Sequence, residues 1–287
     1  MAPAKGSWRI GELSRRVGVS PSTLRAWESR YGLLKPRRSA GNYRLYGPSD
    51  ESRVRRLRAL MGEGLSVGEA ARAALQSGDR PEISSDRIPR LREELLGAFE
   101  AYDEAGVHEA LDRLLAGTPV DRALREVVLP VLHELGERWS RGSLDVGEEH
   151  FGSNLIEDKL RALAAERKPG SGPMVVLACA PGELHSIGLC CMEVGLRSRG
   201  ARVTYLGRDT PPESIERACR KVKPDLVVLS AVTPGPLRSL EGRLSLPAGT
   251  RLAIGGAGAS AEIAAELGAE LLATDPLSAA ERLLAGG

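Results

Sequence analysis

Apolar positions along the 287 residues change period twice, and the changes divide the chain into three regions. In the first, Ile10, Leu13 and Val17 recur at helical spacing, and after Gly18-Val19-Ser20 the period resumes with Leu24 and Trp27. Ser20 suits an N-cap, and Pro21 suits the first helical position, where no N–H is needed. The spacing therefore predicts a short helix, a tight turn and a second helix over about 21–30. That second helix buries Leu24 and Trp27 and turns Ser22, Thr23, Arg25 and Arg30 outward. After a breaker-rich linker at 78–89, residues 90–167 keep helical spacing with few β-branched clusters. One helix runs through Leu91, Leu95, Leu96 and Phe99, and a second through Val107, Leu111, Leu114 and Leu115. A third runs through Leu124, Val127, Val128, Val131, Leu132 and Leu135, and a fourth from about 147 to 166. Short connections predict a four-helix bundle. Beyond a Pro/Gly-rich stretch at 167–173 the pattern becomes short runs of Val, Leu and Ile at 174–178, 202–206, 226–230 and 251–254, separated by helical stretches. This βαβα order predicts a flavodoxin-like parallel sheet over 173–287, covered on both faces, with a ligand site beyond the carboxyl ends of its strands. The fold class is multidomain, α and α/β.

Charge sharpens the division. The formal net charge is only +2, but residues 1–80 hold 16 Lys+Arg against 7 Asp+Glu, and the remainder 24 against 31. A basic head on an acidic body is the footprint of a protein that meets a polyanion. Two of the three Trp and three of the five Tyr also fall in the head. No apolar run, that at 174–178 included, approaches the ~20 residues that span a bilayer, so no membrane role is expected. The four Cys (179, 190, 191 and 219) form no C-x-x-C pair, which suits a reducing cytoplasm and disfavours a disulfide framework or a zinc ribbon.

A short helix, tight turn and second helix with donors outward is the arrangement that enters a major groove. The segment 35–46 adds a basic, aromatic hairpin whose cations and Tyr hydroxyls can meet phosphates. Arg16, Ser22, Thr23, Arg25, Arg30, Arg37, Arg38, Asn42, Tyr43 and Arg44 are the expected DNA contacts. Through Ile10-Gly-Glu-Leu13, Thr23-Leu-Arg25, Trp27-Glu28, Arg30-Tyr-Gly-Leu33 and Arg44-Leu-Tyr46, the head (1–77) resembles the MerR family of transcriptional regulators. That resemblance implies a winged helix-turn-helix that binds operator DNA as a dimer. The metal-sensing members place Cys ligands at the end of the head; here no Cys precedes Cys179, which sets metal and thiol sensing aside.

Past the first expected strand the chain reads Cys179-Ala-Pro-Gly-Glu-Leu-His-Ser-Ile-Gly188. A His on such a loop can offer a ring nitrogen to a metal, and Glu183 can support its other nitrogen. Gly188 lets a flat ligand approach the backbone. Ser230-Ala-Val232 and Gly255-Gly256 follow two further strands. Together these residues resemble the cobalamin-binding domain of methionine synthase and corrinoid-dependent mutases, whose pattern is Glu-x-x-x-Asp-x-His-x-x-Gly, Ser-x-Leu and Gly-Gly. Cys179, Glu183 and Val232 depart from it; His185, Gly188, Ser230 and the Gly pair match. The resemblance implies His185 as lower axial cobalt ligand, with Ser186 beside it and Ser230 near the displaced nucleotide base. In the bundle, Trp139 followed after nine residues by Glu149-His150 is similar to the motif of the CarH/LitR light-dependent repressors. The order of head, bundle and corrinoid domain also resembles theirs. This implies that bundle and corrinoid domain enclose adenosylcobalamin, with His150 as candidate upper ligand after light, and that the chain works as a dark homo-oligomer, a dimer or tetramer.

Two other functions compete with this light-responsive regulator. A corrinoid methyl carrier or mutase part would be an enzyme, but a mutase needs a barrel of about 250 residues, and a methyl carrier needs no DNA-binding head. A MerR-type regulator that senses cobalamin without light, or another tetrapyrrole or small ligand, is the second.

Overall fold

A computed structural model describes residues 8–39, 41, 43–62, 65–76, 87–167, 170–272 and 275–285. Asn42 and most of the expected linker, 78–86, lie outside them. Two compact units divide between residues 141 and 142.

The first unit begins with the head. Helix α1 (Ile10–Val17) stops at Gly18, whose φ of +62° closes the helix. In α2 (Pro21–Tyr31), Ser20 Oγ accepts from Thr23 N–H at 3.1 Å, and Gly32 ends the helix at φ +64°. Strands β1 (Arg37–Arg38) and β2 (Arg44–Leu45) pair antiparallel, and Trp8 bridges Tyr46 beside them. Helices α3 (Pro48–Gly62) and α4 (Val67–Gln76) complete a core of Leu13, Val17, Leu24, Trp27, Leu33, Tyr46 and Leu57. Two arginines of α3 satisfy carbonyls left open at the end of α1: Arg55 reaches Arg16 O at 2.9 Å and Arg58 reaches Val17 O at 2.6 Å. Asp50 and Arg53, a buried pair at 2.6 Å within α3, tie that helix to the turn before the wing: Asp50 accepts from Lys35 N–H and Arg53 Nε donates to Leu33 O at 2.7 Å, while Asp50 also accepts from Gly47 N–H.

Three of the expected helices follow in the same unit: α5 (Ile88–Glu100), α6 (Glu104–Gly117) and a run formed by α7 (Val120–Ala123), a π turn at Leu124–Val128 and α8 (Leu129–Ser140). The π turn has a cause in the sequence. Pro130 has no N–H for the Glu126 carbonyl and its ring crowds it. Leu129 N–H reaches back five residues to Leu124 O, and Arg92 of α5 donates two hydrogen bonds to Glu126 O, at 2.8 and 2.5 Å.

The second unit opens with α9 (Val146–Ala165), the fourth expected helix, begun by a capping box. Asp145 accepts from Gly147 N–H at 2.8 Å, and Glu148 accepts from Asp145 N–H at 2.7 Å. Compactness thus counts α9 with the sheet rather than with the three helices before it. It packs against α10, and Arg161 lies 4.7 Å over the Tyr205 ring. The sheet alternates β3 (Met174–Cys179), α10 (Ile187–Ser198), β4 (Arg202–Gly207), α11 (Pro212–Val222), β5 (Leu226–Ser230), α12 (Pro234–Arg238), β6 (Arg251–Gly255), α13 (Ala261–Glu266), β7 (Glu270–Leu271) and α14 (Pro276–Ala285). All strands are parallel, in the order β4-β3-β5-β6-β7. Val175, Leu177 and Cys179 face α10 and α14, while Val176 and Ala178 face α11 and α13. Strand β7, two residues long, gives no apolar run and was not anticipated. The chain passes to one side of β3 and then to the other, so the order reverses between β3 and β5. A ligand crevice belongs at that point.

Candidate functional site

The loop after β3 builds its centre from a buried carboxylate. Glu183 Oε1 lies 2.6 Å from His185 Nδ1 and accepts His185 N–H at 2.7 Å; Oε2 accepts Val232 N–H, from the loop after β5, at 2.6 Å. Burial alone would raise this carboxyl, but the two backbone donors and the imidazole hold it below the usual carboxylate range. An ionised carboxylate only accepts, so Nδ1 carries a proton, and in the neutral ring the lone pair lies on Nε2. The His185 side chain is three-quarters exposed. This is the geometry of an imidazole prepared for a metal.

Three departures from the sequence pattern find a place here. Glu183 reaches the imidazole as the shorter acid would. Val232 serves through its backbone N–H. Cys179 Sγ lies 3.6 Å from His185 O, and burial pushes its thiol up to about 12, so it is an inert neighbour and not a nucleophile.

Gly188, Ser230, Gly255 and Gly256 line one cavity of about 440 Å³, with Leu189, Met192, Val228 and Leu272 as its apolar walls. Gly256 has φ +91°, and a Cβ there would stand 2.2 Å from Ala231 O. Gly258, which the sequence reading left without a role, meets Thr233 O just as closely. At Gly188 nothing lies within 4 Å of a Cβ, so the protein itself leaves that space open. Ser186 is buried and accepts from Arg208 Nε at 2.9 Å. Arg208 and Asp209 also escaped the sequence reading: Asp209 holds Gly182 N–H at 2.7 Å, from a backbone φ of +42° that no sequence signal announces. A flat ligand held from below by His185, with a tail in the cavity, fits these residues.

On α9, Glu149 accepts from Ser153 at 2.6 Å and lies 3.7 Å from an exposed His150. Trp139, at the end of α8, is 51% exposed.

In the head, Arg25, Arg37 and Arg38 are exposed. Ser22 and Thr23 hydroxyls sit 2.8 Å from Ser20 Oγ. Arg30 lies over Tyr31, and Arg9 lies 4.6 Å over the exposed Tyr43 ring. Arg16 is engaged, 2.7 Å from Glu51 and 4.2 Å over Trp8. Glu28 of α2 holds the wing: Oε1 takes Arg44 Nε at 2.9 Å and Oε2 takes Tyr46 O–H at 2.7 Å. Tyr46 is therefore fully buried and cannot reach phosphate, a correction to the expectation that both wing tyrosines offer hydroxyls.

Comparisons with known proteins follow the same division. Residues 8–77 match the MerR HTH family regulatory protein model, and 91–164 and 173–275 each match a B12 binding domain model. The chain is 37% identical to the HTH-type transcriptional repressor CarH of Myxococcus xanthus, over 89% of this chain and 91% of that one. It is 38% identical to the repressor CarA of the same organism, over 91% of each. Among solved structures, the monomethylamine corrinoid protein of Methanosarcina barkeri shares the fold over 69% of this chain and 99% of its own, with a TM-score of 0.58 at 20% identity.

Proposed function

Since the chain belongs to the CarH-type MerR-family transcriptional regulators, with a B12-binding body behind a DNA-binding head, we propose that its ligand is adenosylcobalamin and its signal is light. It is a regulator and not an enzyme. Among the described residues no helix is long and apolar enough to cross a membrane. The observation that carries the ligand reading is the Glu183–His185 pair, a buried carboxylate that fixes the imidazole with Nε2 available.

Bound adenosylcobalamin supplies a cobalt–carbon bond that light breaks. The chain's residues do the rest. His185 would hold the cobalt, with Glu183 fixing its tautomer and Ser186 at its side. Gly188 leaves room for the macrocycle, and Val232 N–H fixes Glu183. The cavity of Ser230, Gly255 and Gly256 receives the nucleotide tail. Trp139, Glu149 and His150 are the residues we assign to the adenosyl group. In darkness the loaded chains form a homo-oligomer, a dimer or tetramer, whose linked heads hold a repeated operator. Once one head is bound, the next binds at a high effective concentration. Arg25, Arg37, Arg38 and Arg44 meet the DNA. Repression is lifted when the oligomer comes apart.

The test is to load the protein with adenosylcobalamin in darkness and measure its size, spectrum and operator affinity before and after green light. The expected result is a His-ligated spectrum, then a smaller species with weaker binding. Unchanged size and affinity overturn the light signal.

A further inference from the structure

Residue 208 joins two parts of the second unit that the proposed function uses separately. One guanidinium makes both bonds: Arg208 Nε donates to Ser186 Oγ at 2.9 Å, and Nη2 pairs with Glu157 of α9. Ser186 is the buried residue after His185 and occupies the N-cap position of α10. Glu157 is also well covered, with 12% of its side chain exposed. The next residue, Asp209, braces the same loop from its other end. Its side chain takes Gly182 N–H, and its own N–H donates to Glu183 O at 2.9 Å. The His185 loop is thus fastened at Gly182, Glu183 and Ser186 to one short turn after β4, and that turn reaches α9 through Arg208.

We propose that Arg208 is a positioning residue that couples the lower-ligand loop to α9, so that corrinoid binding at His185 sets the order of the helix bearing Glu149 and His150. The coupling follows from the planar fork of the guanidinium, in which two donors on one rigid group cannot move independently. Glu157 lies eight residues beyond Glu149, about 12 Å along a helix rising about 1.5 Å per residue. A shift of Ser186 is therefore carried to α9 without contact between the lower ligand and the helix. Arg161 over Tyr205 is a second fastening of α9, but it does not touch the loop and should not report its occupancy.

The inference rests on the cobalamin reading, and the experiment separates the two. Amide hydrogen exchange of residues 146–165 is followed in the full chain with His150→Ala throughout, so that α9 cannot ligate cobalt directly, empty and loaded with hydroxocobalamin, alongside the absorbance spectrum. The otherwise wild-type chain should show a His-ligated spectrum and exchange in α9 slowed about tenfold on loading. Arg208→Met keeps the aliphatic stem but removes both donors, and Glu157→Ala removes only the α9 acceptor. Each should keep the His-ligated spectrum while losing most of the slowing. Arg161→Gln should speed exchange equally in both states and keep the difference between them. Full slowing in both Arg208→Met and Glu157→Ala overturns the coupling, as does a His-ligated wild type whose α9 exchange never changes. A wild type that fails to bind hydroxocobalamin overturns the cobalamin reading itself, and the coupling with it.

Discussion

Glu183 and His185, two residues apart, form a closed unit in which one carboxylate oxygen serves both the ring Nδ1 at 2.6 Å and the main-chain N–H of the same histidine at 2.7 Å. The other oxygen crosses to Val232 N–H at 2.6 Å. Three donors on two oxygens leave no place for an amide. In Glu183→Gln one of the three must face an NH2 group, so cobalamin affinity should fall about 10- to 100-fold, as for partners that orient metal-bound imidazoles. Titration with hydroxocobalamin measures it, and wild-type affinity in the mutant would remove Glu183 from the site.

The same carboxyl predicts an acid limb. Its folded value is depressed despite burial, because the His185 and Val232 donors favour the anion. A depressed carboxyl contributes its full stability above the unfolded value of about 4.3 and loses it as pH falls through the folded value. Thermal denaturation of the empty protein between pH 8 and pH 3 should therefore show a decline below about pH 4.5 that is weaker in Glu183→Gln.

Two glycines of the site should behave oppositely. Gly256 has positive φ and no space for a methyl, so Gly256→Ala meets backbone strain of about 1–3 kcal/mol, with the clash against Ala231 O added. Its melting temperature should drop by about 5 °C or more. Gly188→Ala meets nothing in the protein and sits in a helix, so its melting temperature should hold or rise slightly while cobalamin binding weakens. Equal binding by Gly188→Ala and wild type would show that no ligand approaches there.

In the head, the Glu28 strap separates contact from support. Arg44→Ala should weaken operator binding across sequences and reduce the salt slope by about one phosphate contact. Tyr46→Phe removes a buried bond to Glu28, so it should lower stability while leaving the salt slope as in wild type. A fall in slope for Tyr46→Phe, or none for Arg44→Ala, would reverse the assignment.

Periodicity revealed what periodicity encodes. The apolar runs at 174–178 and 226–230 lie within β3 and β5 as the structure has them, and Leu24 and Trp27 are buried in α2 as their spacing requires. The Glu183 support of His185 was legible because the two residues are neighbours in sequence. Arg208 was not, because its partners lie 22 and 51 residues away, and only the parallel order of β3 and β4 brings them to one end of the sheet. Asp209 was hidden for another reason: Asp tolerates the left-handed region better than most residues, but only the folded loop puts this one there. The π turn was written plainly as Pro130 inside an otherwise continuous helical pattern, but its remedy, Arg92, sits on another helix.

In the light response we propose, Trp139 and His150 carry the switch. Trp139 keeps half its surface exposed at the end of α8, a large apolar face suited to an adenosyl group. Removal of such a filling leaves a void, and voids of that size are costly enough to drive repacking. Trp139→Ala should therefore impair dark assembly even with adenosylcobalamin bound. His150 is exposed, 3.7 Å from the Glu149 carboxylate, and a neutral imidazole is a good ligand for cobalt. His150→Ala should assemble normally in darkness, because its role begins only when the upper face opens. After green light, wild type should show a bis-imidazole cobalamin spectrum and a smaller species by light scattering. His150→Ala should lack that spectrum and should reassociate when fresh adenosylcobalamin is supplied in darkness, since nothing then blocks the upper face. A bis-imidazole spectrum in His150→Ala assigns the upper ligand to a different histidine. A wild type that is identical in dark and light ends the photoreceptor reading and leaves a cobalamin-binding regulator whose signal is the cofactor itself.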